Sequence, residues 1–133
     1  MSILKSGLLA AVLLAVAPTG GGVHAQSISL ENGEAVFKKC RACHLVGENA
    51  RNAVGPALNA IVGRRAGAAD AYAYSANLKE LGAAGLVWDE PTLQRYLENP
   101  KAVVPHGKMA FPGLEEAQER ADVIAYLKTF SKL

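Results

Sequence analysis

With 133 residues, 50% of them apolar, 20% charged and a formal net charge of +2, the chain holds one domain and has no room for two. That balance excludes a disordered chain, and two cysteines are too few for a disulfide scaffold. Aromatic residues make up only 6% of the chain and glycines number 13, so the core side chains are small and an embedded prosthetic group would help the chain fold.

Residues 1–25 read as an export signal. Lys5 is followed by an unbroken apolar run over residues 8–17, then by the breakers Pro18 and Gly20-Gly21-Gly22, and Val23-His24-Ala25 has the small-x-small form of a cleavage site. A ten-residue helix reaches about 15 Å, half a bilayer core, which argues against a stable membrane anchor. Cleavage predicts a mature domain over residues 26–133, located in the periplasm and carrying one unit of net positive charge once Lys5 is gone.

Within that domain, residues 30–44 have helical spacing through Val36-Phe37, Cys40 and Cys43-His44, with Ser29 or Asn32 as candidate cap. Residues 45–87, rich in Gly, Ala and Asn, predict loop with one or two short helices. A short helix is expected from Asp89 or Glu90 to Asn99, with Pro91 in its first turn and Pro100 at its end. Residues 100–113 carry three prolines and two glycines and predict an irregular strap. From Leu114 to about Phe130 the pattern is helical again, with Val123, Tyr126, Leu127 and Phe130 at i, i+3, i+4 and i+7. No alternating strand pattern occurs, so the predicted class is all-α.

Cys40-Arg41-Ala42-Cys43-His44 carries the chemistry. At i, i+3 and i+4 of a helical turn, two thiols and an imidazole share one face. The thiols can add to the two vinyl groups of one haem while the imidazole meets its iron, and the spacing reads as c-type haem attachment. A thioredoxin-type dithiol lacks its βαβ context here, and a structural zinc needs four tetrahedral ligands, which adjacent Cys43 and His44 supply awkwardly. A plain disulfide would leave His44 without a role. An open sixth iron position permits ligand or peroxide chemistry, and a closed one confines the protein to moving electrons. Met109, the one thioether of residues 26–133, lies in the strap and is a soft donor suited to ferrous iron. A core gap-filler is its alternative fate. His106 is a rival ligand, and Lys108 another at high pH.

The chain resembles class I cytochrome c, the soluble bacterial and mitochondrial carriers, through Gly33-x-x-x-Phe37, Cys40-x-x-Cys43-His44, Gly55-Pro56-x-Leu58, Gly63-Arg64-x-x-Gly67, Tyr74-Ser75, Trp88, Tyr96-Leu97-x-Asn99-Pro100-Lys101, Pro105-x-x-Lys108-Met109-x-Phe111-x-Gly113 and Glu119 to Leu127. The resemblance implies three to five helices around one haem c bound covalently through Cys40 and Cys43, with His44 and Met109 as axial ligands. It further implies that the Pro56 carbonyl accepts from the second ring nitrogen of His44 and that Tyr96 hydrogen-bonds the Met109 sulfur. By the same match Arg64, Tyr74 and Trp88 contact the haem propionates, and Gly33 and Phe37 cross the last helix against Tyr126. The chain departs from the family pattern at His106-Gly107, where Gly and Thr are usual, and by a short insertion within residues 81–85.

The expected function is one-electron transport in a periplasmic respiratory or photosynthetic chain, by a monomer that is not an enzyme. The alternatives are a dedicated acceptor for one periplasmic dehydrogenase, or a haem sensor or peroxidase with an open sixth position. Lys38, Lys39 and Arg41 beside the motif and Lys101 and Lys108 beside the strap predict redox partners with acidic docking sites. Glu115, Glu116, Glu119 and Asp122 read as an acidic cluster held apart from them. The small net charge and the lack of a basic stripe exclude nucleic acid.

Overall fold

The computed structural model describes residues 26–132; the predicted export signal, residues 1–25, lies outside them. Five helices follow in order: α1 (Leu30–Phe37), α2 (Ala76–Ala83), α3 (Glu90–Glu98), α4 (Pro100–Val103) and α5 (Ala117–Lys128). The only sheet-like pairing among the described residues is a single antiparallel bridge between Arg65 and Val87. The class is all-α, as the periodicities predict.

The first and last helices cross and form the centre of the fold. Gly33, Val36 and Phe37 are the buried face of α1, and Val123, Ile124 and Leu127 lie buried on α5. The crossing is close because Gly33 has no side chain: a Cβ there would stand 2.2 Å from the Asp122 carbonyl oxygen and 2.8 Å from Tyr126 Cβ. One turn further on, the Phe37 and Tyr126 rings pack at 5.6 Å.

Asp122 is a correction to the surface acidic cluster. Its residue is 1% exposed, and its carboxylate accepts from Ser29 N (2.9 Å), Asn32 Nδ2 (2.7 Å) and Gln118 Nε2 (2.8 Å). Those three donors hold the carboxyl below its ordinary pKa, the Ser29 amide contributing most. Glu119 is likewise not set apart, since the crossing brings it within 3.0 Å of Lys39 Nζ.

The helix expected over residues 30–44 stops at Phe37. Ser29 Oγ caps its start by accepting from Asn32 N (3.1 Å). Beyond Phe37, Lys38, Lys39, Arg41 and Ala42 are all exposed, so no buried face supports further α-turns. The backbone tightens instead, with Lys39 N bonded to Val36 O (3.0 Å) and Cys40 N to Phe37 O (2.8 Å).

Ser75 opens α2, its Oγ accepting from Leu78 N (3.2 Å). The apparent insertion over residues 81–85 is the end of this helix and the turn that follows it. Asp89 caps α3 through Thr92 N (2.8 Å). Pro100 ends α3 as expected but also begins α4, because its fixed φ and missing N–H suit the first position of a helix. The irregular strap is therefore shorter than residues 100–113, starting after Val103.

The last helix begins at Ala117 rather than Leu114. Leu114 N donates to Leu97 O (2.7 Å), and the carbonyls of Leu114 and Glu115 accept from the buried Arg120 Nη1 (2.6 and 2.7 Å). Leu114 is thereby tied to Leu97 and to the Arg120 guanidinium ahead of the first helical turn. Phe130 falls past the end of α5, with its ring 5.1 Å from Tyr126.

Candidate haem-binding site

Cys40, Cys43 and His44 sit on the tight turn that follows α1. The Cys40 carbonyl accepts from both Cys43 N (3.0 Å) and His44 N (2.9 Å), which gathers the three residues without a regular helix. Both cysteines are half-buried, and burial raises the Cys40 thiol above its usual pKa.

His44 is placed by the loop that follows. Its Nδ1 lies 2.8 Å from Pro56 O; a carbonyl only accepts, so Nδ1 carries the proton and Nε2 keeps its lone pair. Gly55 makes room for the ring, since a Cβ there would stand 2.4 Å from His44 Cε1. Burial, more than any neighbouring charge, lowers the His44 pKa and keeps the imidazole neutral.

Asparagines brace this loop. Asn59 bonds Gly47 through both its Oδ1 (2.9 Å) and its Nδ2 (2.8 Å), while Asn52 accepts from Ala57 N (3.0 Å) and donates to Asp70 O (2.9 Å). Sequence reasoning passed over both. Asn in a Gly-rich loop signals cross-loop bonding, but its partners are not adjacent in sequence.

Arg64 and Trp88 meet where two extended segments pair, with Trp88 N donating to Arg64 O (2.9 Å) and Gly63 N to Trp88 O (2.8 Å). The half-buried Arg64 guanidinium donates to Asn59 O (3.2 Å) and Ala57 O (3.1 Å) and lies near enough to the Tyr74 phenol for their charges to interact. The Tyr74 hydroxyl accepts from Ala69 N (3.2 Å).

Trp88 is 6% exposed and packs at 4.7 Å against Tyr96. Tyr96 Oη donates to Met109 Sδ at 3.4 Å. Burial, assisted by Tyr72, pushes the Tyr96 pKa up to about 12, so the phenol keeps the proton it donates. Of the two rival ligands, His106 is exposed, and Lys108 Nζ donates to Ala73 O (2.9 Å).

These residues fit a haem. Half-open apolar side chains border the core, among them Val46, Leu58, Val62, Leu78, Leu86 and Phe111, a surface that a large flat apolar group would cover. An open groove of about 430 Å³ lies against His44, lined also by Phe37, Val46, Tyr126 and Phe130. Among the described residues no three His, Cys, Asp or Glu side chains cluster as a metal cage would need.

Residues 30–131 match the family model for cytochrome c. This chain belongs to the cytochrome c family. It is 55% identical over 97 residues to cytochrome c2 of Rhodomicrobium vannielii, spanning 73% of this chain and 75% of the relative. It is 50% identical over 99 residues to cytochrome c-550 of Ancylobacter novellus, spanning 74% and 92%. Among solved structures, cytochrome c2 of Rhodospirillum centenum superposes with a TM-score of 0.73 at 44% identity, covering 77% of this chain and 98% of that one. The fold is that of class I cytochrome c, and the cofactor is the haem c that the family binds covalently.

Proposed function

We propose that this cytochrome c is a one-electron carrier with haem c attached through Cys40 and Cys43 and with His44 and Met109 as axial ligands. When bound, haem supplies the ferric–ferrous couple that holds and releases one electron. The chain contributes orientation and exclusion. Pro56 O fixes the His44 tautomer so that Nε2 is the coordinating nitrogen, and the Tyr96 hydroxyl draws density from the Met109 sulfur, favouring the reduced state. Arg64, Tyr74 and Trp88 are the proposed propionate contacts.

The observation that carries this reading is the Tyr96–Met109 hydrogen bond, which orients the thioether that the reading assigns to the sixth position. A closed position supports electron transfer over a sensor or peroxidase, and the protein transforms no substrate. Residues 1–25 act as a cleaved export signal and residues 26–133 as the periplasmic domain; no helix among the described residues is long and apolar enough to cross a membrane. Redox partners with acidic docking sites fit the exposed Lys38, Lys101 and Lys108, whereas Lys39 is paired with Glu119 and Arg41 with Glu34.

The ferric holoprotein is expected to show the weak long-wavelength sulfur-to-iron charge-transfer band and a single reversible one-electron wave. Met109→Ala should abolish the band and lower the potential by on the order of 0.1 V. A wild type without the band, or one that reduces peroxide with turnover, overturns the carrier reading.

A further inference from the structure

The strap around Met109 has little backbone support. Among the described residues, no backbone–backbone hydrogen bond is donated or accepted by residues 108–113, and regular bonding resumes only at Leu114 N to Leu97 O (2.7 Å). The approach to Met109 is held from outside the strap. His106 N donates to Asn77 Oδ1 (3.0 Å), reaching 29 residues back to the first turn of α2, and Lys108 Nζ donates to Ala73 O (2.9 Å) just before that helix. The Lys108 bond uses a long, exposed side chain that loses much rotamer freedom to make it. The Asn77 side chain is short, half-buried and mounted on a helix whose start is already capped by Ser75, so less freedom is lost.

We propose that Asn77 is a positioning residue for Met109. Its carboxamide oxygen holds the His106 amide so that the sulfur can leave the iron only when the strap detaches from α2. This inference rests on Met109 as the sixth ligand. Strap opening is therefore coupled to α2, a helix that contributes no ligand of its own.

Imidazole added to ferric holoprotein tests this, because it takes the sixth position only in molecules whose Met109 has left, and its apparent affinity reports the open fraction. Asn77→Ala should raise that affinity about three- to ten-fold, the range expected for one lost hydrogen bond. Asn77→Asp keeps an acceptor oxygen and should stay near wild type, as should Lys79→Ala on the exposed side of the same helix. Hydrogen exchange in the wild type should show the His106 amide protected, a readout that stands even if Asn77→Ala folds poorly. Unchanged affinity in Asn77→Ala, an equal rise in all three variants, or a freely exchanging His106 amide overturns the proposal. A wild type with the sulfur–iron band but a flat response rejects the role of Asn77 alone; a wild type without the band rejects the ligand reading and this one together.

Discussion

The α1–α5 crossing and the Met109 strap are built in opposite ways. The crossing is made of protein alone: a glycine against a carbonyl, two rings packed at a tilt, and a buried carboxylate with three donors. Residues 108–113 of the strap make no backbone–backbone hydrogen bond, and the strap depends on side-chain contacts from Tyr96, Asn77, Lys101 and Lys108. The first region carries stability through close packing, which tolerates almost no added volume. The second holds one sulfur atom through individual hydrogen bonds.

Gly33→Val tests the crossing most severely. Its side chain would enter the space of the Asp122 backbone, which cannot yield without separating the helices. A loss of about 3 kcal/mol or more is expected in denaturant unfolding of the holoprotein. An unfolding midpoint unchanged from wild type would show that the crossing is looser than described.

Asp122→Asn comes next. It replaces a charge-assisted acceptor with an amide that cannot satisfy all three donors, at a cost of about 2 kcal/mol at neutral pH. The folded carboxyl has a depressed pKa, so its contribution is fully present above the unfolded value of 3.8 and disappears as pH falls through the lower folded value. Thermal melts should therefore show the wild type and Asp122→Asn separated near neutrality and converging below that value. Curves that stay parallel in acid would remove Asp122 as the titrating group.

The smallest effect belongs to the strap side. Tyr96→Phe removes the donor to Met109 Sδ while leaving the packing on Trp88 largely intact. With Met109 as the proposed ligand, its sulfur would then donate more strongly to ferric iron, and the potential should fall by about 20–60 mV, the one-electron equivalent of a modest hydrogen bond. Voltammetry reads the shift directly. A potential that rises would mean that the hydroxyl acts on something other than the sulfur.

What could be read from the residues was mostly what is local. The motif at Cys40, Cys43 and His44 spans one turn, Ser29 and Asp89 cap the helices they precede, and α3 begins and ends within a residue of its proline and cap signals. Helix ends decided by tertiary contact were misjudged. Phe37 ends α1 because burial ends there, and Leu114 stays outside α5 because Leu97 and Arg120 take its backbone groups. Charged residues were the hardest to place. Asp122 reads as part of an exposed acidic cluster and lies buried, and Glu119 reads as distant from Lys39 yet pairs with it, because the partners are 80 or more residues away for Asp122 with Ser29 and for Lys39 with Glu119. Of the site, the candidate ligands were easy to find because Cys, His and Met are scarce in the chain, and the family resemblance chose among them. Asn52, Asn59 and Asn77 were invisible because an amide's partner depends on how two distant loops meet.

The separation of 93 residues between Ser29 and Asp122 also imposes an order in time. A chain made or exported from its N-terminal end presents residues 40–44 long before residues 117–128 exist to close over α1. Closure of so long a loop costs more chain entropy than any local turn and is correspondingly slow. The docking of α5 on α1 is therefore a long-range step, and the crossing at Gly33 is completed only when the last helix of the domain is present.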